Sequence, residues 1–398
     1  MNIFLSLFII FFFGFLGGYL FEKIKIPKII FYIVLLGILI GPSLLNIVDE
    51  NLLSISSYLR QIALVIILTR SGLSLDLSTL KKIGRPAFLM CFVPASFEIL
   101  GITIFGPILL KISYLEAMLL GSVLAAVSPA IVAPRMINLI NEGCGKKHHV
   151  PELILAGSSC DDIFVIVLFY SFKSLVSSNS FDAWTLSQIP ISIITGVILG
   201  LLGGIIMLFI ISKFNINNVG NVIIMLGISF GMITLENFLK VYFSISSLLA
   251  IIVMAIIIRF KKKDKAEQIQ KTYNSLWNGF EILLFTLVGI ATEIKYAFSK
   301  EGAIIIGLIF IALIFRSIGV IISILFTKYS WKEKIFIVIS YMPKATVQAS
   351  IGGIALAENL PCGTIVLIAA VISILITAPL GSFLIDNLYK RLLIKDLE

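Results

Sequence analysis

The fold of this chain is decided by an apolar run that carries two adjacent acids, Leu153-Ile-Leu-Ala-Gly-Ser-Ser-Cys-Asp-Asp-Ile-Phe-Val-Ile-Val-Leu-Phe169. Around this run, 59% of the 398 residues are apolar and only 13% are charged, about half the roughly 25% of charged residues in soluble domains. This composition predicts a polytopic membrane protein. Because a carboxylate at membrane depth costs about 2.5 to 3.5 kcal/mol even on lenient insertion scales, Asp161 and Asp162 are predicted to be functional.

Apolar stretches of about 20 residues, bounded by charge, Pro, Gly or Asn, predict an all-α fold with thirteen transmembrane helices. Strands do not compete, because these runs are too long and too continuously apolar for an alternating pattern. The predicted helices cover residues 2–21, 29–47, 55–73, 86–110, 115–137, 151–175, 189–212, 219–238, 243–260, 274–294, 302–327, 333–357 and 362–389.

Basic residues crowd the loops on one side of the predicted membrane. When alternate loops are assigned to opposite sides, 23 Lys and Arg fall on one side and 5 on the other. Because basic residues favour cytoplasmic loops, the N-terminus is predicted outside and the C-terminus inside, in an integral protein of the cell membrane. These loops explain the formal net charge of +9, so no nucleic-acid partner is predicted.

Two predicted helices are interrupted at matching positions. Helix five contains Ala126-Val-Ser-Pro-Ala-Ile-Val-Ala-Pro134, and helix twelve contains Tyr341-Met-Pro-Lys-Ala-Thr-Val-Gln-Ala349. Each is second to last in a half of six helices. With one linker helix between the halves, the second half enters the membrane from the opposite side, which predicts inverted six-helix repeats with two broken crossing helices. Tolerated proline kinks are the alternative interpretation of either break.

Four charged residues besides the two aspartates lie well inside the predicted helices. Glu98 and Arg316 stand on the fourth helix of each half, and a repeat axis would place them together near the midplane, so they are predicted to form a structural or gating ion pair. Lys344 lies at the break of helix twelve, where its charge can face a helix end; a lysine that extends to the membrane interface is the alternative interpretation. Arg60, near the middle of helix three, has no predicted partner and either pairs locally or faces a water-filled crevice.

Asp161 and Asp162 cannot both face one cavity squarely, because successive helical residues point about 100° apart. One is predicted to meet a transported ion, and the other a fixed cation or a helix end. Burial disfavours the charged form of a carboxylate, so such an acid can accept a proton in place of a small cation. Competition of two cations for one site makes their exchange obligatory, which is antiport chemistry.

Neutral oxygens near the acids can complete a shell for a hard ion such as Na⁺ or Li⁺. The candidates are Ser128, Ser158, Ser159 and Thr346. No resident metal or other cofactor is predicted, because the cysteines lack CxxC spacing and the two histidines stand together in a polar loop. These residues are Cys91, Cys144, Cys160, Cys362, His148 and His149.

Several segments resemble the monovalent cation/proton antiporters, and within them the NHA-type sodium/proton exchangers. They are spread over most of the chain, and the last two are the most specific. The segments are Arg70-Ser-Gly-Leu-Ser-Leu-Asp76, Val93-Pro-Ala-Ser-Phe-Glu98, Ala126-Val-Ser-Pro-Ala-Ile-Val-Ala-Pro134, Ala156-Gly-Ser-Ser-Cys-Asp-Asp-Ile163, Arg316 and Lys332-Glu-Lys-Ile-Phe-Ile-Val-Ile-Ser-Tyr-Met-Pro-Lys-Ala-Thr-Val-Gln-Ala349.

The resemblance implies a six-helix core, a dimerisation domain made from the remaining helices, a homodimer in the lipid membrane and elevator-like alternating access. The implied division assigns 1–85 to dimerisation helices 1–3 and 86–177 to core helices 4–6. It assigns 178–300 to linker helix 7 with dimerisation helices 8–10, and 301–398 to core helices 11–13.

By residue, the resemblance implies that Asp162 carries the ion and the proton and that Asp161 supports it. It also implies an ion pair of Glu98 with Arg316, and a place for Lys344 at the helix crossover. Na⁺ or Li⁺ and H⁺ are then the transported partners. A branch of the family has lysine where Arg316 stands, and that lysine is thought to release a proton in electrogenic exchange. Arginine keeps its proton at physiological pH.

Two other classes compete with a cation/proton antiporter. A sodium-coupled symporter of an organic anion shares a related inverted-repeat fold, but it needs a roomy polar cavity with several amides, and Gln348 is nearly alone near the breaks. An intramembrane aspartyl protease needs two carboxylates that face each other from separate helices. Adjacent residues on one helix cannot take that geometry, so an enzyme is not predicted.

Overall fold

A computed structural model describes residues 2–24, 26–75, 81–178, 183–239 and 245–394. Asp76, from one of the segments quoted above, lies outside these ranges, as do the loop lysines Lys25, Lys240 and Lys395. Within the described ranges the chain is all-helical, and turns or short loops join the helices without any β-strand.

The helices confirm the all-helical part of the predicted fold class. Among the described residues, nine helical segments are long and apolar enough to cross a membrane. In chain order the helices are α1 Ile3–Lys23, α2 Lys28–Ile38, α3 Glu50–Ser74, α4 Arg85–Leu110, α5a Tyr114–Leu124, α5b Pro129–Asn141, α6 Val150–Ser178, α7 Ala183–Lys213, α8 Asn218–Leu239, α9 Ser247–Lys261, α10 Lys263–Ile290, α11 Lys300–Ser323, α12a Trp331–Ser340, α12b Thr346–Ile351, α12c Ile354–Ala357 and α13 Gly363–Leu392. A single helical turn, Ile294–Ala297, lies between α10 and α11.

Each predicted stretch contains helix, but several boundaries differ from the prediction. Helix α2 ends at Ile38 rather than at residue 47, α3 begins at Glu50 rather than at residue 55, and α7 begins at Ala183 rather than at residue 189. The sequence predicts a loop for the polar segment before residue 274, whereas α10 already begins at Lys263. Its Ala, Glu, Gln and Lys residues are good helix formers, and Arg259 contacts Glu267 at 2.8 Å across the connection. In α4, the helix is interrupted at Cys91 and Phe92, because Pro94 favours the start of a new helix.

The helices pack in two groups. In one group α4 packs against α11 and α5a, α6 packs against both halves of α5, and α13 packs against α12a and α11. In the other group α3 packs against α9 and α10, α2 packs against α10, and α7 packs against α9. The short helix α12b also contacts α3 and α10. The interrupted helix α12 therefore lies where the two groups meet.

Two glycines let the backbones of α2 and α10 touch. A methyl group on Gly289 would lie 2.3 Å from the carbonyl oxygen of Ile33 and 2.9 Å from Cα of Gly37. Small residues at such crossings are the usual means of close packing between membrane helices. In the same helix, a methyl group on Gly279 would meet no atom within 4 Å.

Replacing Gly289 by alanine is therefore expected to separate α2 from α10 and to destabilise the protein by about 1 to 3 kcal/mol, as overpacking does. The matched variant Gly279→Ala is expected to be neutral or stabilising by up to about 1 kcal/mol, since alanine is the better helix former. Thermal unfolding in detergent measures both. Equal melting temperatures for the two variants would contradict the crossing at Gly289.

Candidate functional site

The two helix breaks lie against each other. Helix α5 is interrupted at 125–128 and α12 at 341–345. Pro129 starts α5b, and Pro343 cannot donate a backbone hydrogen bond. The backbone N–H of Ser128 donates to the carbonyl oxygen of Pro343 at 2.8 Å. The interrupted segments thus meet and leave helix ends that face one another inside the protein.

Arg316 of α11 links both breaks to the buried acids. Its Nη1 donates to Glu98 at 2.8 Å and also to the carbonyl of Ala125, while Nη2 donates to Asp161 Oδ2 at 2.8 Å. Its Nε donates to the carbonyl of Tyr341 at 2.7 Å. Arginine suits this position because its planar fork offers several donors at fixed angles. One cation therefore holds two carboxylates and a carbonyl from each break.

Lys344 reaches from the second break to the first. Its Nζ lies 2.7 Å from Oε1 of Glu98 and donates to the carbonyl of Leu124 at 2.5 Å. Leu124 is the last residue of α5a, where the helix dipole leaves partial negative charge. Gln348 adds a hydrogen bond from Nε2 to the carbonyl of Ala126 at 2.8 Å. The C-terminal end of α5a thus faces a full positive charge.

The two adjacent aspartates have different surroundings. Oδ2 of Asp161 accepts hydrogen bonds from Arg316 and from the backbone N–H of Val127 at 2.9 Å. Asp162 is 2% exposed and makes no hydrogen bond or ion pair with any residue that the structure describes. Asp161 therefore belongs to the fixed charge network, while the carboxylate of Asp162 is available to a ligand.

The four candidate hydroxyl groups also fall into two pairs, one that is hydrogen-bonded and one that has no partner among the described residues. The hydroxyls of Ser158 and Ser159 donate to the carbonyl of Leu155 in their own helix, at 3.1 and 3.0 Å. The hydroxyl oxygens of Ser128 and Thr346 are buried and have no hydrogen-bond partner among the described residues. The latter two are therefore the neutral oxygens free to bind a ligand.

A cavity of about 460 Å³, called the Asp162 cavity below, gives access to the carboxylate of Asp162. Thr346 and Ser159 also line it, and Arg70 and Asn274 lie in its wall. A buried carboxylate that has no partner among the described residues, in the wall of a cavity lined by both polar and apolar side chains, has the chemistry of a cation or proton site.

Residues 7–390 match the protein family described as "Sodium/hydrogen exchanger, transmembrane". The chain belongs to the sodium/hydrogen exchanger family. Its exchanger relatives include human sodium/hydrogen exchanger 9B1, with 33% identity over 98% of this chain and 78% of the relative. Mouse sodium/hydrogen exchanger 9B2 is 32% identical over 97% of this chain and 73% of the relative. These relatives are transporters rather than enzymes, as the sequence predicted.

A solved structure shares the fold of this exchanger. The sodium proton antiporter MjNhaP1 from Methanocaldococcus jannaschii superposes with a TM-score of 0.83 over 98% of this chain and 99% of its own, at 22% identity.

Several contacts of this exchanger site were not predicted from the sequence. The pairing of Arg316 with Asp161, and that of Lys344 with Glu98, join helices that are far apart in the chain. The sequence marks Gln348 only as an isolated amide, although its position just after the second break is a usable signal. The ends of the broken helices are satisfied by these side chains, as buried backbone groups require.

Proposed function

We propose that this exchanger moves Na⁺ or Li⁺ in one direction and H⁺ in the other, with both cations competing for Asp162. The observation that carries the proposal is the contrast between the two acids. Asp161 is bound to Arg316, whereas Asp162 is buried, faces the Asp162 cavity and has no partner among the described residues. A group that must bind and release a cation needs such freedom.

In the proposed cycle, the carboxylate of Asp162 binds the metal cation, and Thr346 and Ser128 can add neutral oxygens, which hard cations prefer. When a proton replaces the cation, the site stays neutral and can again be buried at low cost. Glu98, Arg316 and Lys344 keep the two helix ends in place throughout. Their charges are structural or gating in this proposal.

We further propose thirteen membrane-crossing helices in inverted six-helix repeats, with the N-terminus outside, the C-terminus inside and the protein in the cell membrane. The meeting of the two breaks supports this arrangement. In this proposal α4–α6 and α11–α13 (86–177 and 301–398) form the core, and α1–α3 with α7–α10 (1–85 and 178–300) form the linker and dimerisation part of a homodimer. The two packing groups support the division.

The test of this function is a flux assay with purified protein in proteoliposomes. An outward gradient of Na⁺, Li⁺ or K⁺ is imposed in turn, and the internal pH is recorded with a trapped dye. Acidification with Na⁺ or Li⁺ is expected, with Asp162→Asn protein as the inactive control. Uptake of an organic anion with Na⁺, without proton movement, would instead favour the symporter.

We expect the exchange to be electroneutral, with one Na⁺ or Li⁺ traded for one H⁺. A carrier that exchanges one cation for one proton on Asp162 moves no net charge, and a second proton needs a second site that changes its protonation. Arg316 cannot be that site, because arginine stays charged. The measurement imposes a K⁺ and valinomycin potential at fixed Na⁺ and pH gradients.

An exchange rate or reversal point that follows the imposed voltage would contradict electroneutral exchange. Asp161 and Lys344 would then be the residues to replace, since both are buried and ionisable. Their conservative variants Asp161→Asn and Lys344→Gln would show which one removes the voltage dependence.

A further inference from the structure

Arg60 is a buried cation without a partner among the described residues. It lies in α3, is 9% exposed and makes no hydrogen bond or ion pair with any residue in the described part of the chain. A buried charge without compensation is unfavourable, and at membrane depth it marks a functional residue. Its charge is therefore expected to act on mobile ions rather than on a fixed carboxylate.

The guanidinium of Arg60 packs against Gly353 in the second broken helix. Gly353 lies in the two-residue joint between α12b and α12c, and a methyl group there would lie 2.7 Å from Nη1 and 3.2 Å from Cζ of Arg60. A side chain at residue 353 would therefore displace the guanidinium. The charge of Arg60 is thus placed directly beside the helix that carries Thr346.

A second cavity, called the Arg60 cavity below, has a volume of about 380 Å³ and includes Arg60 in its wall. It follows the same helices as the Asp162 cavity, but at their opposite ends. Helix α3 contributes residues between 57 and 61 to the Arg60 cavity and residues between 67 and 75 to the Asp162 cavity. In α6 the corresponding residues are 170–173 and 152–162.

One turn of α12b separates the two cavities. Thr346 lines the Asp162 cavity and Ser350 lines the Arg60 cavity, and the hydroxyl of Ser350 donates to the carbonyl of Thr346 at 2.7 Å. Four helical residues rise only about 6 Å. Only this short stretch of α12b therefore separates the two cavities. A cation that passed it would cross the protein without exchange for a proton.

The other charges of the Arg60 cavity already have contacts. Lys173 pairs with Glu358 at 2.6 Å, and the Glu358 side chain is 42% exposed. Glu236 accepts hydrogen bonds from the backbone N–H of Ser247 at 3.0 Å and from its hydroxyl. Arg60 is thus the unpaired cation of this cavity, and it lies deeper than Glu358.

We propose that Arg60 determines the coupling of the exchange. Its charge keeps cations in the Arg60 cavity away from Asp162 while Asp162 is open to the other cavity, so that Na⁺ crosses only in exchange for H⁺. At an effective dielectric constant of about 20, a unit charge about 8 Å away lowers the occupancy of a monovalent cation on the order of tenfold or more. This inference rests on the proposed function.

The test measures radioactive Na⁺ uptake and proton release at the same time in one population of proteoliposomes. The wild type sets the ratio of Na⁺ to H⁺. The quantity of interest is uncoupled Na⁺ uptake, which is the Na⁺ uptake in excess of proton release. It is expected to rise about tenfold in Arg60→Gln protein and to remain near the wild-type level in Arg60→Lys protein. The melting temperature of Arg60→Gln is expected to stay equal or to rise, because an unpaired buried charge is removed.

Gly353→Ala gives an independent variant, since the added methyl group displaces the guanidinium. Gly353→Ala is expected to raise the Na⁺ uptake in excess of proton release in the wild-type background. In Arg60→Gln protein it is expected to cause no further increase. Lys173→Gln, which removes a cation that is already paired, is the matched control and is expected to keep the wild-type ratio. An unchanged ratio in Arg60→Gln protein would overturn the inference while wild-type exchange persists. Absence of exchange in the wild type would instead count against the proposed function.

Discussion

Asp162→Asn is expected to abolish Na⁺-driven proton movement. The substitution preserves the shape of the side chain but removes the charge that a cation needs at this buried position. A unit charge about 4 Å from an ion contributes about 4 kcal/mol at an effective dielectric constant of about 20, which corresponds to a roughly thousandfold loss of affinity. The dissipation of a pH gradient by Na⁺ in proteoliposomes measures the effect.

Two neighbours serve as controls for this substitution. Asp161→Asn is expected to slow exchange by about tenfold without abolishing it, because an amide oxygen can still accept the hydrogen bond of Val127 while Arg316 keeps its pairing with Glu98. Ser159→Ala alters the wall of the same cavity at a hydroxyl that bonds to its own helix, and is expected to have little effect. Full transport by the Asp162→Asn protein would refute its role as carrier.

Arg316→Gln is expected to be the most destabilising single substitution in the charge network. It leaves both Glu98 and Asp161 without their shared cation, and removing one member of a buried pair costs about 3 to 5 kcal/mol. Glu98→Gln is expected to cost less. The double variant is expected to lose clearly less than the sum of the two, because contacting residues couple. Thermal unfolding in detergent measures all three variants.

The pair of Arg135 and Asp386 provides a matched cycle at the surface. Its bidentate contacts are as short, at 2.8 and 2.9 Å, but the two side chains are 25% and 48% exposed. Exposed pairs contribute about 0 to 1 kcal/mol, so Arg135→Gln and Asp386→Asn are expected to change stability little. If the losses from Glu98→Gln and Arg316→Gln simply add, the buried pair is not coupled.

The substitutions at Arg316 and Asp162 separate two kinds of buried charge. Arg316 and Asp161 neutralise each other and hold the two breaks together, so losing either disturbs the structure as well as transport. Asp162 forms no ion pair with any described residue, so its replacement is expected to affect transport without a comparable loss of stability. Measuring melting temperature beside transport for both residues therefore distinguishes a carrier from a positioning charge.

The sequence alone determined the helical class, the positions of the two breaks and six of the buried charged residues, but it did not identify Asp49, Glu281 and Glu333, which are buried as well. These features follow from local properties, namely apolar length, proline and glycine placement, and the cost of a charge in a membrane helix. The motif segments also pointed to the exchanger family before any contact was known. The sequence does not predict the helix over 263–273. Its polar composition is typical of a loop, although its individual residues are good helix formers.

Only the tertiary structure decided which charges meet. Asp161 and Asp162 are neighbours of the same chemical type, and no local property shows which one Arg316 binds, since that depends on how α6 is rotated against α11 and on where the breaks of α5 and α12 touch. The same holds for Arg60: its place beside Gly353, and its lack of a partner within the part of the chain that the structure describes, depend on the packing of α3 against α12. Contacts between residues far apart in the chain are set by helix packing, and helix packing is a property of all the side chains together.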